Sequence, residues 1–562
     1  MRKFRWQFLL VFVTAIVVGL LIYFQQNNPV KKVVNTPSPI TGGSYTEGLV
    51  GRFGRLNPLL AFRNQSDRDI NRLIFSSLIK FDSNGRPVAD LAESWTVSSD
   101  ATRYNVKLKP NVLWHNGIPF TAQDVVFTAS LLQSRSQLLP QDLQEFWPLV
   151  QVNAVTDFEV EFLLPEPYSP FIDYLSFQIL PANQLGNLNL EQIVDHPFNL
   201  APVGTGPFQF DKLSVTDGQI SEVHLKPFDN YFDGRAYLEQ INFRYFASDQ
   251  AALAAYISGE LDGISTVSEQ TLPGVLAQDD LNLYSAQQSR LSMVFLNHAN
   301  ADKPFLKDEN IRKALMYAIN RQGIIDQVLK GQAVLAEGPI MTNSWAYYPT
   351  QESWKYDPDL AKQIINGLGV QKDESGYMVT KDGAQLALVL LTEDDENHRT
   401  MAEIVKQNWG VLGIAVEVQP LPLLQLQEQL RAHTYDAALV DINLSNTPDP
   451  DPYPFWGQAM IQNGQNYAGW DDRTASEYLE QARMTADLAL RTKLYRNFQI
   501  YFHDKLPSLP LFCPIYNYAV RNTINGVTFG PLNDPSDRFS NVAKWYILSA
   551  KNQGEANQTE TP

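Results

Sequence analysis

Between residues 386 and 418 the chain reads Leu386-Ala-Leu-Val-Leu-Leu391, then a helical stretch from Arg399 to Leu412, then Ile414-Ala-Val-Glu-Val418. The first run is short and apolar enough for a buried strand, and the last suits a second one. A strand, a helix and a strand in succession form a βαβ-like unit, which commits this part of the chain to sheets covered by helices. The same mixture recurs elsewhere. Thr102–Leu108 alternates as a strand. Thr121–Leu132 reads as a helix with Thr121 as N-cap and Asp124 in the reciprocal position of a capping box. Val160–Leu164 is a strand ended by Pro165, and Glu309–Ile319 is an amphipathic helix. The fold class is therefore α/β. With 562 residues the chain exceeds what one hydrophobic core supports and suffices for two or three domains.

The formal net charge of -17 argues against a nucleic-acid binder, which needs a basic patch to release phosphate counterions. It weakly favours neutral or cationic ligands over anionic ones. The single cysteine, Cys513, lies in apolar Leu509-Pro-Leu-Phe-Cys-Pro514, where it reads as a buried packing residue. The seven histidines form no H-x-H or H-x-x-x-H pair, so no dedicated metal site and no cofactor is expected.

Arg2, Lys3 and Arg5 precede an uncharged run from Trp6 to Phe24. As a helix it rises roughly 28 Å, the thickness of the hydrocarbon layer. A cleaved signal peptide is the competing reading. Against it, the run is long, no small-x-small site follows, and no cysteine is there to take a lipid. Residues 1–25 are therefore expected to be a cytoplasmic stub and an uncleaved transmembrane anchor. The basic residues on the N-terminal side place the body outside the cell or in the periplasm. Residues 26–43, with Pro29, Pro37 and Pro39, read as a linker, and 549–562 as a disordered tail.

Most other singled-out residues have a structural reading. Trp95, Trp114 and Phe120 are expected to pack a core, Gly117 and Gly206 to serve turns needing positive φ, and Glu93 and Asp124 to cap. The loop Asn443-Leu-Ser-Asn-Thr-Pro-Asp-Pro-Asp-Pro-Tyr-Pro-Phe-Trp456 is different. It follows the apolar strand Ala437–Val440, is stiffened by four prolines and ends in bulky aromatics, a form suited to presenting polar groups to a ligand. The bland alternative is that Asp449 and Asp451 cap the next helix.

Together these stretches resemble the extracellular solute-binding protein family 5, the dipeptide, oligopeptide and nickel binders. The resemblance runs from about Gly43 to Leu548. It rests on Leu56-Asn-Pro-Leu59, Leu91-Ala-Glu-Ser-Trp95, Trp114-His-Asn-Gly117, Phe120-Thr-Ala-Gln-Asp-Val125, Val203-Gly-Thr-Gly-Pro-Phe208, Ser258-Gly-Glu-Leu-Asp262, Ile311–Asn320, Tyr356-Asp-Pro-Asp359 and Asp449-Pro-Asp-Pro-Tyr453, in family order. It implies a two-lobed, periplasmic-binding-protein-like clamshell of class II with an extra subdomain. Lobe 1 would take 44–296 and 510–548, with the subdomain inserted at about 89–204, and lobe 2 would take 297–509. Such a monomer captures a peptide or other small solute by hinge closure and delivers it to ABC permease subunits.

The ligand-binding residues the resemblance implies are Thr46, Glu47, Gly48, Asn446, Asp449, Asp451, Tyr453 and Trp456, with no catalytic residue. Two positions depart from the dipeptide binders. Asn446 stands where an Asp captures the peptide amine, and Thr392, in the acidic run Thr392–Glu396, stands where an Arg pairs the peptide carboxylate. This favours longer peptides held by their backbone. The alternatives are an anchored extracellular hydrolase, for which no G-x-S-x-G, H-E-x-x-H or S-x-x-K/K-T-G set is present, and a binder of a sugar or nickel complex.

Overall fold

A computed structural model describes residues 13, 14, 39, 41–349, 353–380, 383–443, 448–530 and 532–548. The expected anchor apart from Val13 and Thr14, most of the linker, Asn446 and the tail lie outside the described residues. Among those described, no helix is long and apolar enough to cross a membrane. Residues 1–40 and 548–562 form one unit, and residues 41–547, which hold the whole α/β body, form another.

In chain order, β1 (Ser44–Val50) leads to helix α1 (Gln65–Ile74). A separate antiparallel layer follows, made of β2 (Ala92–Val97), β3 (Arg103–Leu108), β4 (Gln151–Thr156) and β5 (Glu159–Leu163), in the order β2-β3-β5-β4 and covered by helix α2 (Ala122–Leu132). The chain then returns through β6 (Phe208–Thr216), β7 (Gln219–Pro227), β8 (Gln240–Phe246), β9 (Gly263–Ile264) and β10 (Leu281–Gln287). From β11 (Arg290–Leu296) it builds a second region with β12 (Ala333–Leu335), β13 (Ala387–Glu393), helix α3 (Glu396–Gly410), β14 (Ala415–Leu421), β15 (Ala437–Asn443) and helices α4 (Arg473–Met484) and α5 (Leu488–Lys505). The long β16 (Ser508–Arg521) closes the circuit.

Apart from the inserted layer and three two-stranded ribbons, the strands of the described residues join one mixed sheet, β14-β13-β15-β11-β16-β9-β1-β8-β7-β6, with β10 and β12 also on β16. β13, α3 and β14 are the βαβ unit, and β13 pairs parallel to β14 and to β15. The expected capping box forms: Thr121 N–H donates to Asp124 Oδ2 at 2.9 Å. Gly117 has φ +82°, the turn its position suggested. Gly206 does not have positive φ. A side chain there would place Cβ 2.3 Å from the Leu73 carbonyl oxygen, so glycine permits a close approach to α1. Glu93 caps no helix; it lies exposed in β2.

The buried apolar residues divide at the long strand. One core gathers residues from Tyr45 to Phe243 and from Tyr516 to Trp545, the inserted layer included, with a satellite between Ala252 and Ala519. Two others gather residues between Leu291 and Cys513. The chain passes between the two sets twice, after β10 and within β16. β11 lies entirely in the second region, Ser292 opposite Asp441, and β16 pairs with β11 as far as Phe512.

Candidate functional site

The singled-out loop leaves β15 at Asn443 and is described again from Pro448. Asp449 is 1% exposed. Its carboxylate pairs with Arg491 and accepts from Tyr495 Oη at 2.9 Å, both on α5. Its backbone N–H donates to Asp173 Oδ2 at 2.8 Å. Two residues on, Arg483 at the end of α4 grips Asp451, with Nη2–Oδ2 at 2.7 Å and Nε–Oδ1 at 2.9 Å, the bidentate geometry that guanidinium favours. Tyr168 Oη donates to the same carboxylate at 3.1 Å. Asp451 has φ +21°, a sparsely populated conformation for a side-chain-bearing residue, and these bonds hold it there.

Neither aspartate caps the short helix Tyr453–Trp456, whose N-cap is Pro452 with no side-chain bond. They tie the second region to the first instead. Tyr168, Ser169 and Asp173 all follow β5 of the inserted layer, and Ser169 N–H donates to the Arg483 carbonyl at 2.6 Å. Arg483 also lies over the Tyr453 ring at 4.1 Å and the Tyr168 ring at 5.4 Å. Burial pushes the Asp173 carboxyl up to about 7, against the pull of Arg491.

Four other residues expected to contact a ligand are engaged within the fold. Glu47 is fully buried. Arg538 reaches it at 2.6 Å and holds Asp69 through two bonds of 2.8 Å, while Tyr45 and Tyr518 donate to the other Glu47 oxygen at 2.7 and 2.9 Å. A carboxylate so saturated has nothing left for a ligand. Thr46 and Gly48 lie with it on an interior strand, between β8 and β9, so β1 offers no free edge for a peptide backbone. Trp456 is likewise fully buried, stacked on Phe295 at 5.9 Å and edge-on to Phe502 at 4.7 Å, and packs the second core. Tyr453 stays half-buried beside Arg483.

A polar cluster that sequence reasoning missed sits just before the loop. Antiparallel register sets Ser292 opposite Asp441. Ser292 donates to Asp441, Arg290 Nε approaches it at 3.2 Å, and His398 Nε2 lies 3.7 Å away. His398 Nδ1 meets Asp395 Oδ2 at 2.6 Å, and Asp395 caps α3. Burial alone would raise the Asp441 carboxyl, but His398, Arg290 and Ser292 hold it below its ordinary range. His398 is raised: burial opposes its charge, and the facing Asp441 and Asp395 outweigh that. Potential ligand atoms of Glu393, Asp395 and His398 also fall within 4.8 Å of one another. The cluster stands at the carboxyl ends of β13 and β15, where open α/β sheets place ligand crevices. No motif could have flagged residues scattered from 290 to 441. Thr392, in the position expected for a carboxylate-pairing Arg, is buried and donates to the Leu439 carbonyl at 3.1 Å.

The model of the bacterial extracellular solute-binding proteins, family 5 (middle part), matches residues 86–463. The chain belongs to this family. Among curated family relatives, the oligopeptide-binding protein AppA of Bacillus subtilis is 27% identical over 527 residues, covering 93% of this chain and 94% of AppA. A dipeptide-binding protein of Escherichia coli is 24% identical, covering 81% and 86%. The solved structure of Bacillus subtilis AppA in complex with a nonapeptide matches with a TM-score of 0.69 at 25% identity, over 91% of this chain and all of that one. HbpA2 from Haemophilus parasuis shares the fold with a TM-score of 0.77 at 22% identity.

Proposed function

We propose that this chain is the extracytoplasmic solute-binding component of an ABC importer that captures oligopeptides by closing two lobes, one on each set of cores. The observation that carries the reading is the bonding of the Asp449–Asp451 loop to the inserted layer through Asp173 and Tyr168, with Ser169 bonded beside it to the Arg483 carbonyl. These are contacts between jaws, made where the chain links the two halves through only two passages. The likeness to AppA over nearly its whole length supports a peptide cargo. Ligand contacts would come from the Asn446 loop, the Asp441–Asn443 strand end and Tyr453. Neutral Asn446 and Thr392 favour a peptide held by its backbone over one gripped at both charged ends. The run Trp6–Phe24 would tether the body to the membrane on its outer face.

The test is mass spectrometry of material bound to the purified full chain, then calorimetry on one recovered peptide with free and with blocked termini. Oligopeptides should be recovered, and blocking should weaken binding by less than about 1 kcal/mol, since a neutral hydrogen bond contributes about 0.5–1.5 kcal/mol and a charged one about 1.5–3. Recovery of no peptide, and no binding of a peptide library, would overturn the reading. A hundredfold loss on blocking would restore charged end-anchors.

A further inference from the structure

A cavity of about 200 Å³ opens beside the loop, between the inserted layer and the start of α5. Trp95, Tyr104, Ile172, Trp345 and Leu488 form its apolar walls. Trp95 does more than pack the layer; it is half-buried and contributes a face here. A cavity of about 150 Å³ with apolar walls admits a benzene ring, so this one has room for a single ring with a short polar arm. It is too small for the drug-sized ligands that fill about 300–1,000 Å³.

Two lining groups are buried donors without an acceptor. Ser169 is 4% exposed and its hydroxyl has no hydrogen-bond partner. Arg491 is 6% exposed; its Nη2 is committed to Asp449, its Cζ lies 5.1 Å from the Trp345 ring centroid, and its Nε–H has no acceptor among the described residues. Leaving a buried donor unmet is unfavourable, so two on one apolar cavity point to an acceptor supplied from outside. At the rim, Arg86 has no ion pair among the described residues. Asp173 also lines the cavity, with one oxygen occupied by the Asp449 N–H.

We propose that this cavity is a second binding site, distinct from the peptide cleft, for a small aromatic carboxylate. The ring would lie among Trp95, Tyr104 and Trp345, and the carboxylate would accept from Arg491 Nε–H and Ser169 Oγ–H with Arg86 at the rim. The same chemistry comes from a free aromatic acid or from the C-terminal aromatic residue of a peptide.

The test is calorimetry on the full chain in nanodiscs with indole-3-acetate and with tryptamine, which share ring and chain length but differ in charge. The acid should bind at least tenfold tighter than the amine. Leu488→Trp, at an exposed rim position, should fill the cavity and abolish acid binding. Ser169→Ala, which leaves every ion pair intact, should weaken it several-fold. The tripeptide Ala-Ala-Trp with free or amidated C-terminus separates the sources. Affinity of the free form lost in Leu488→Trp assigns the site to peptide termini; loss for indole-3-acetate alone assigns it to free acids. Equal binding of acid and amine, or unchanged acid binding in both variants, overturns the proposal. Neither outcome depends on what the main cleft carries.

Discussion

Arg538 and Arg483 make similar bonds in different company. Arg538 is fully buried and every charged partner it has, Glu47 on β1 and Asp69 on α1, belongs to the first core. Arg483 grips Asp451 within the second region, but the cluster extends outward: Tyr168 reaches in from the inserted layer, and the neighbouring Asp449–Arg491 pair touches Asp173 there. A guanidinium–carboxylate cluster whose legs all land in one core is scaffold. One whose legs cross between regions is a clasp. The difference lies in where the partners are anchored, and it separates what braces one core from what ties the two regions together.

The largest effect should come from the scaffold. Replacing Arg538 by Met leaves Glu47 and Asp69 buried without their cation, and breaking a buried pair in this way typically destabilises by about 3–5 kcal/mol. Denaturant unfolding should show that loss with peptide binding retained in the fraction that folds. A loss under about 1 kcal/mol would mean the cluster is not the closed unit described.

The clasp should show itself through pH. The Asp173 carboxyl is raised to about 7 from an ordinary 3.8, chiefly by burial. A raised carboxyl favours the protonated, buried form, so its contribution is full below about pH 4 and is lost as pH rises through 7. At about 1.36 kcal/mol per unit the loss is roughly 4 kcal/mol at most. Hydrogen exchange of the 168–173 segment, corrected for the intrinsic rise of exchange with pH, should therefore lose protection between about pH 4 and 7, and Asp173→Asn, which keeps an acceptor for the Asp449 N–H, should flatten that dependence. A wild-type profile already flat would remove Asp173 from the clasp.

Arg483→Met should act more mildly, because Asp451 keeps its Tyr168 donor and a path to water. A charged hydrogen bond contributes about 1.5–3 kcal/mol, which predicts roughly tenfold weaker peptide binding through a faster off-rate. Unfolding of the first core should not move. A variant that bound normally would make Arg483 a local brace only.

The elements are legible where the physics is local. The period change from Leu386 to Val418 marks β13, α3 and β14, and Thr121 with Asp124 marks the cap on α2. What stays hidden depends on partners far along the chain. Glu47 looks like a cleft carboxylate because Arg538, 491 residues away, is invisible from β1. Trp456 looks like a ligand platform because no pattern in so short a helix tells which way its rings face. Asp441, His398 and Arg290 meet only through strand register and helix phase. Gly206 stands out as special, but for a turn, whereas the constraint is the Leu73 carbonyl. The cavity lined by Trp95 and Arg491 joins an inserted layer to a helix some 390 residues later, beyond any periodicity.

On the proposed function, the Asp449–Asp451 loop and the 168–173 segment are jaws that meet when solute is held. Small-angle scattering of the full chain in nanodiscs, with and without a saturating peptide confirmed by calorimetry, tests it directly. Compaction on peptide addition, diminished in Arg483→Met at equal saturation, is the predicted result. Scattering that is unchanged by bound peptide would contradict it.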